Sequence, residues 1–361
     1  MFRSKERKIR KVLNDYRLPY LDIAILDDSI CKKFELQEDR LSLELFVDFP
    51  ADAIRESVSC EVKTRVLAVD DKLDVDIHVE SKIRCHKFQG TMERIVGVKN
   101  IIAVASGKGG VGKSTSTVNL AMALAKTGVR VGVLDADIYG PSIPKMLGTA
   151  NQELQGEDKK FHPIFNHGVY STSIAYMIDA DKALVWRGPM VSRALQQLIH
   201  ETMWPDLDYL FIDLPPGTGD VQLTLAQKIP VNGAIIITTP QDISLIDARR
   251  AINLFDKVGI SVLGVIENMS QHVCSQCGHA EALFGEGGGQ ELANQHNVTL
   301  LGQLPLDINI RSHADQGESL FETKASETIA SIYKETCLNI IAELSRQPID
   351  YKGKFPKVVV Q

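Results

Sequence analysis

Cysteine is scarce in this 361-residue chain: there are six, and Cys31, Cys60, Cys85 and Cys337 are widely scattered. That spacing excludes a disulfide-built scaffold and reads as isolated thiols of a reducing compartment. No apolar run is long enough to span a bilayer, and no signal-peptide core is present, so no membrane association is expected. Charge of one sign is also lacking. A formal net charge of -6 gives no reason to expect nucleic acid as a partner. The basic stretch Arg3–Lys11 contains Glu6 and runs into Val12 and Leu13, which suits the first face of a surface helix better than a transit peptide. Internal repeats and long low-complexity segments are absent too. What remains, 44% hydrophobic and 24% charged, is an ordinary globular composition pointing to the cytoplasm, with length enough for two domains.

The most informative stretch is Ser106–Thr115. Gly107, Lys108, Gly109, Gly110, Val111, Gly112, Lys113 and Ser114 satisfy the phosphate-loop pattern G-x-x-x-x-G-K-[ST], with Thr115 next. The apolar run Ile101–Ala105 predicts a buried strand before the loop, and Thr117–Ala125 predicts a helix after it. Glycines there let backbone N–H groups turn toward phosphate oxygens at a helix N-terminus. Lys113 is placed to reach the β- and γ-phosphates, and Ser114 to help hold Mg²⁺. Lys108 is not required by the general pattern. It resembles the signature lysine of the deviant phosphate-loop ATPases, which reaches phosphates across a dimer.

The pattern changes near residue 97. Up to there, short alternating strands (Leu41–Val47, Leu73–Val79) flank a helix-like Ala51–Val58, as in a small α+β domain. Beyond it, Val129–Leu134, Tyr209–Asp213, Gly233–Ile237 and Leu263–Ile266 read as strands buried on both faces and separated by helices. That is the pattern of an α/β, doubly wound, mostly parallel sheet spanning 98–350, followed by a tail at 351–361. Ligands gather at the carboxyl ends of such strands, and three of those ends carry polar groups. Asp137 is expected to position the attacking water, and Asp135 to support Mg²⁺ or its waters. Asp213 ends an apolar strand in the Walker B manner and is expected to hold Mg²⁺, with Leu214–Asp220 as a Gly-rich switch. The Asn268 amide can pair with an adenine edge. With no N-K-x-D stretch to read guanine, ATP is the expected nucleotide. The helical periodicity of Ile329–Ile341 is expected to pack on the sheet, since Pro348 and a polar tail follow it.

Cys274 and Cys277 form a C-x-x-C pair. One pair cannot close a four-thiolate site, but two copies of the chain could supply four ligands to a shared [4Fe-4S] cluster. Structural zinc stays open, because thiolates do not distinguish the metals; His279 is nearby and reads as a loop residue.

Taken together, Ser106–Thr115, Leu134–Ser142, Val185–Met190, Asp213–Asp220, Glu267–Ser270, Cys274–Cys277 and Phe284–Gly288 resemble the Mrp/ApbC family of iron–sulfur cluster carrier ATPases. The resemblance implies a homodimer that holds a labile [4Fe-4S] cluster at its interface and passes it to apo iron–sulfur proteins, with slow ATP hydrolysis coupled to transfer. Residues 1–97 are similar in outline to the small domain that precedes the ATPase in many bacterial members. They lack its Asp-Pro-Glu start, and Cys31, Cys60 and Cys85 are not expected to bind metal. The alternative is a MinD/ParA-like dimerising ATPase switch with structural zinc at Cys274 and Cys277.

Overall fold

The computed structural model describes residues 2–90, 92–157, 160–177, 188–274, 277–323 and 326–351. The chain forms two compact units, Met1–Arg84 and Cys85–Gln361. The alternation pattern marks the change near residue 97, whereas the structure divides the chain between Arg84 and Cys85. The reason is polar. The His86 backbone N–H donates to Asn100 Oδ1 at 3.0 Å, Asn232 Nδ2 donates to the His86 carbonyl at 2.7 Å, and Gln89 Nε2 donates to the Ala226 carbonyl at 2.7 Å. Detaching residues 85–97 would leave those buried partners unpaired, at a cost of about 1–3 kcal/mol each.

The first unit holds α1 (Phe2–Asn14), β1 (Cys31–Leu36), β2 (Arg40–Val47), α2 (Arg55–Leu67) and β3 (Asp74–Ser81). Its sheet has the order β1-β2-β3, with β2 antiparallel to β1 and parallel to β3. Strict alternation in β2 sends Leu41, Leu43, Leu45 and Val47 to one fully buried face. Val58, Val62 and Val66, four residues apart on α2, are buried as well and belong to the same small core.

The second unit runs β4 (Val98–Ala105), α3 (Lys113–Ala125), β5 (Val131–Asp135), α4 (Ile143–Met146), β6 (Gly156–Glu157), β7 (Lys160–Phe161), β8 (Ile164–Asn166) and β9 (Val169–Ser173). It continues with α5 (Gly188–Glu201), β10 (Leu207–Asp213), α6 (Asp220–Lys228), β11 (Gly233–Thr238), α7 (Asp242–Lys257) and β12 (Val262–Glu267). Last come β13 (His272–Val273), β14 (Ala280–Glu281), α8 (Gly288–His296), β15 (Thr299–Gln303), α9 (Ile308–Gln316) and α10 (Glu327–Ser345).

Eight strands form one sheet in the order β15-β12-β11-β4-β10-β5-β9-β8, parallel throughout except for β8 at the edge. Every residue of β5, β10 and β11 is buried, as strands covered by helices on both faces must be. The chain leaves β4 at the centre, passes to one side through β5, and returns through β10 before crossing to β11. The loop after β4 therefore stands at a topological switch point, where such sheets bind ligands. Helix α10 buries Ile329, Tyr333, Cys337, Ile341 and Leu344 against α3 and β15. Among the described residues, no helix is long and apolar enough to cross a membrane. The tail residues 352–361 lie outside the described residues, as do 178–187, which include part of the Val185–Met190 motif.

Candidate functional site

The loop between β4 and α3 follows its glycines. Gly110 and Gly112 take left-handed φ of 82° and 80°, and Gly112 caps the N-terminus of α3. Gly107 is needed for close approach: a Cβ there would stand 2.1 Å from the Asp247 carbonyl carbon in α7. Helix α3 starts at Lys113, earlier than the apolar periodicity alone indicates, so Lys113 and Ser114 form its first turn.

Both side chains converge on the end of β10. Lys113 Nζ lies 2.6 Å from Asp213 Oδ1, with both groups buried. Ser114 Oγ donates to Asp213 Oδ2 at 2.6 Å, and Thr117 Oγ1 lies 3.1 Å from Oδ1. The parallel register of β10 and β5 sets Asp213 beside Asp135. Burial, and then the neighbouring Asp213, push the Asp135 carboxyl up to about 8. Asp135 also accepts from Ser173 Oγ at 3.2 Å and from the Ile143 and Asp137 backbone N–H groups at 3.3 and 3.2 Å. Asp137 is half-buried. Burial raises its carboxyl, Lys113 opposes the shift, and Asp213 adds to it. Carboxylate and hydroxyl oxygens of this kind, beside a buried ammonium, suit a hard divalent cation carrying phosphate oxygens.

Asp213 leads into Leu214–Gly219, which lies against the phosphate loop. The Gly217 N–H donates to the Ser106 carbonyl at 3.0 Å, and Ser106 Oγ donates to the Lys108 carbonyl at 2.9 Å. Lys108 itself is half-exposed, and among the described residues no carboxylate lies within ion-pair distance of its ammonium.

Beyond Gly112 and Thr115 opens a cavity of about 340 Å³, walled by Asn268, Met269, Pro305, Leu306, Ile310 and Tyr333. Asn268 is buried and its Nδ2 donates to the Val111 carbonyl at 2.8 Å, so this amide braces the phosphate loop while facing the cavity. The apolar walls fit a flat heteroaromatic ring. Sequence reasoning missed Pro305–Asp307, which carries no motif. Its position immediately after β15, at the same sheet edge as the other strand ends, was the available signal.

Cys274 and Cys277 stand at the tip of the β13–β14 hairpin, Cys274 half-buried and Cys277 exposed. The Cys274 N–H donates to the His279 carbonyl, and the Gly278 N–H to the Cys274 carbonyl, both at 2.9 Å. Ser275 and Gln276 lie outside the described residues. His279 is exposed, 3.7 Å from Glu281. No cluster of three or more metal-ligating side chains occurs among the described residues. Cys337 is buried in α10, where burial pushes its thiol far up.

Switch-point loop, buried lysine and strand-end carboxylates together define a P-loop NTPase of the MinD/ParA-like α/β fold. The family model described as "ParA: NUBPL iron-transfer P-loop NTPase" matches residues 97–341, and the chain belongs to that family. It is 49% identical over 308 residues to the iron-sulfur cluster carrier protein of Salmonella typhimurium, covering 85% of this chain and 84% of that one. It is 43% identical over 252 residues to the mitochondrial iron-sulfur protein required for NADH dehydrogenase of Arabidopsis thaliana, covering 70% and 80%. Among solved structures, a nucleotide-binding protein from Archaeoglobus fulgidus in complex with ADP, with Co found in it, superposes with a TM-score of 0.56 at 37% identity, covering 62% of this chain and 88% of that one. The cell-division ATPase MinD of Pyrococcus furiosus, at 22% identity and a TM-score of 0.50, shares the fold.

Proposed function

We propose that the chain is an ATP-hydrolysing carrier whose cargo is a labile [4Fe-4S] cluster, held between two copies of the chain and delivered to apo iron–sulfur proteins in the cytoplasm. One observation carries the reading: a full set of phosphate-site residues shares its unit with just two paired thiols on an exposed hairpin. Two thiolates per chain become four in a two-fold dimer, the number such a cluster takes. The carrier names of the relatives and the ADP complex of the Archaeoglobus protein support both halves.

In this reading the loop amides, with Lys113, cradle the β- and γ-phosphates. Lys108, with no ion-pair partner among the described residues, reaches the phosphates of the facing copy. Ser114 and Asp213 would hold Mg²⁺, with Asp135 behind them, and the ion would supply positive charge to the phosphate oxygens. Asp137 orients the water that attacks the γ-phosphorus, and burial makes its carboxylate a better proton acceptor than an exposed one. The P–O bond to ADP breaks as the new one forms, with Lys113 balancing charge on the leaving oxygen. Asn268 and the apolar walls seat the adenine.

Anaerobic reconstitution with iron and sulfide tests the proposal. About four irons and four sulfides per dimer are expected, and none in Cys274→Ala/Cys277→Ala. Zinc in place of iron, or a cluster unchanged in the double variant, overturns it and leaves a dimerising ATPase switch.

A further inference from the structure

The cysteine hairpin is fastened to the wall of the base cavity. Between β12 and α8 the chain makes one excursion, 268–287, and β13 and β14 lie within it. Its start is bonded to residues 304–306: the Leu304 N–H donates to the Glu267 carbonyl at 2.8 Å, the Ser270 N–H to the Leu304 carbonyl at 3.0 Å, and the Leu306 N–H to the Gln271 carbonyl at 2.8 Å. His272 completes the series, its Nδ1 lying 3.1 Å from the Leu306 carbonyl. A ring N–H there donates to that carbonyl. Leu306 lines the cavity, and His272 is two residues from Cys274.

The far end of the excursion closes on the same place. Glu267 is buried; its Oε2 accepts from the Gly289 N–H at 2.5 Å, in the first turn of α8, and its Oε1 accepts from Gln303 Nε2 at 2.7 Å. A Cβ at Gly289 would stand 2.8 Å from the Glu267 Cβ, so the joint admits no side chain. Both ends of the hairpin excursion are therefore pinned to the strand end that carries Asn268 into the cavity.

We propose that His272 is a positioning residue that couples occupancy of the base cavity to the geometry of Cys274 and Cys277. The coupling runs through the Leu306 carbonyl rather than through the Leu214–Gly219 loop. This rests on the carrier reading above. A base seated against Leu306 and Asn268 fixes the carbonyl to which His272 is bonded, and the two-stranded hairpin moves with His272 because its rungs, His272–Glu281 and Val273–Ala280, tie it together. The coupling is reciprocal: whatever ADP does to the thiol pair, a cluster on the thiols does to ADP affinity. Contiguous bonds supply the path.

The test is the ADP dissociation constant of the full-length chain, cluster-free and cluster-loaded, measured by calorimetry. The wild type is expected to show a ratio of at least about fivefold. His272→Ala is expected to bring the ratio to one while still binding ADP and loading cluster. His272→Asn, which keeps an N–H near the Nδ1 position, is expected to restore it. A wild-type ratio of one, or a ratio unchanged in His272→Ala, overturns the proposal. Loss of cluster loading in His272→Asn also overturns it, by making His272 a ligand. Hydrogen exchange on the cluster-free wild type decides the matter should the variants not fold. ADP is expected to slow exchange at the Leu306 and Cys274 amides together, and protection of Leu306 alone refutes the coupling. That readout stands even where the chain loads no cluster, so failure of the carrier reading and failure of this one are distinct.

Discussion

Replacing Lys113 with methionine keeps an unbranched side chain of similar length and removes the charge together with its N–H donors. In the wild type, the Lys113 ammonium and Asp213 carboxylate stand 2.6 Å apart with side-chain exposures of 6% and 0%. At an effective dielectric constant of about 20 the gross attraction is about 6 kcal/mol, most of it offset by desolvation of the two ions. Removing one partner from such a pair costs about 3–5 kcal/mol. Asp213 retains the Ser114 hydroxyl at 2.6 Å and the Thr117 hydroxyl nearby, which places Lys113→Met near the lower end, about 3 kcal/mol. Lys113→Met/Asp213→Asn, with no charge left to strand, is expected to recover about 2 kcal/mol of that loss. Urea unfolding without nucleotide, followed by tryptophan fluorescence, reads the relevant unit, because Trp204 is buried in it and the other tryptophan, Trp186, falls within the sequence bounds Cys85–Gln361. A single variant as stable as the wild type, or a double variant as unstable as the two single losses added together, refutes the view that the buried pair holds this end of the sheet.

Asp135 sets a pH dependence of defined sign. Its carboxyl titrates near 3.8 when exposed and near 8 in the fold, so across that window the folded chain holds a proton that the unfolded chain has lost. The stability this contributes is full below about pH 4 and declines as pH rises toward 8. Asp135→Asn is therefore expected to gain on the wild type steadily over that range, in the absence of Mg²⁺ and nucleotide; a difference that does not change with pH contradicts the assignment. At Gly107, a Cβ 2.1 Å from the Asp247 carbonyl carbon forces loop and α7 apart by at least about 1.3 Å to reach ordinary contact at 3.4 Å. Gly107→Ala is expected to weaken ADP binding at least about tenfold by calorimetry, about 1.4 kcal/mol, and unchanged affinity shows that the loop conformation tolerates a side chain.

The parts legible in the sequence are those whose geometry is local. Ile101–Ala105 and Tyr209–Asp213 read as strands because apolar side chains cover both faces, and the residue ending each strand then has a fixed place at the sheet edge. From Gly107 to Ser114 the chain writes its own conformation, since Gly110 and Gly112 permit the left-handed turns. The contacts that escaped notice work across long separations. Asn268 and Val111, joined by one hydrogen bond, are 157 residues apart, and no spacing rule connects them. Asn100 and Asn232 draw residues 85–97 into the second unit, although the residues of that stretch carry no mark of where they belong. Cys274 and Cys277 illustrate both cases. Their spacing reads as a candidate pair of ligands, but neither says that the hairpin rests on Leu306, because that contact depends on β15 lying beside β12. Strand order in a parallel sheet is decided by how crossover helices pack, and local pattern constrains it weakly. Chemistry close to the phosphate loop is therefore written in consecutive residues, whereas the link from nucleotide to thiol is written only in the order of the strands.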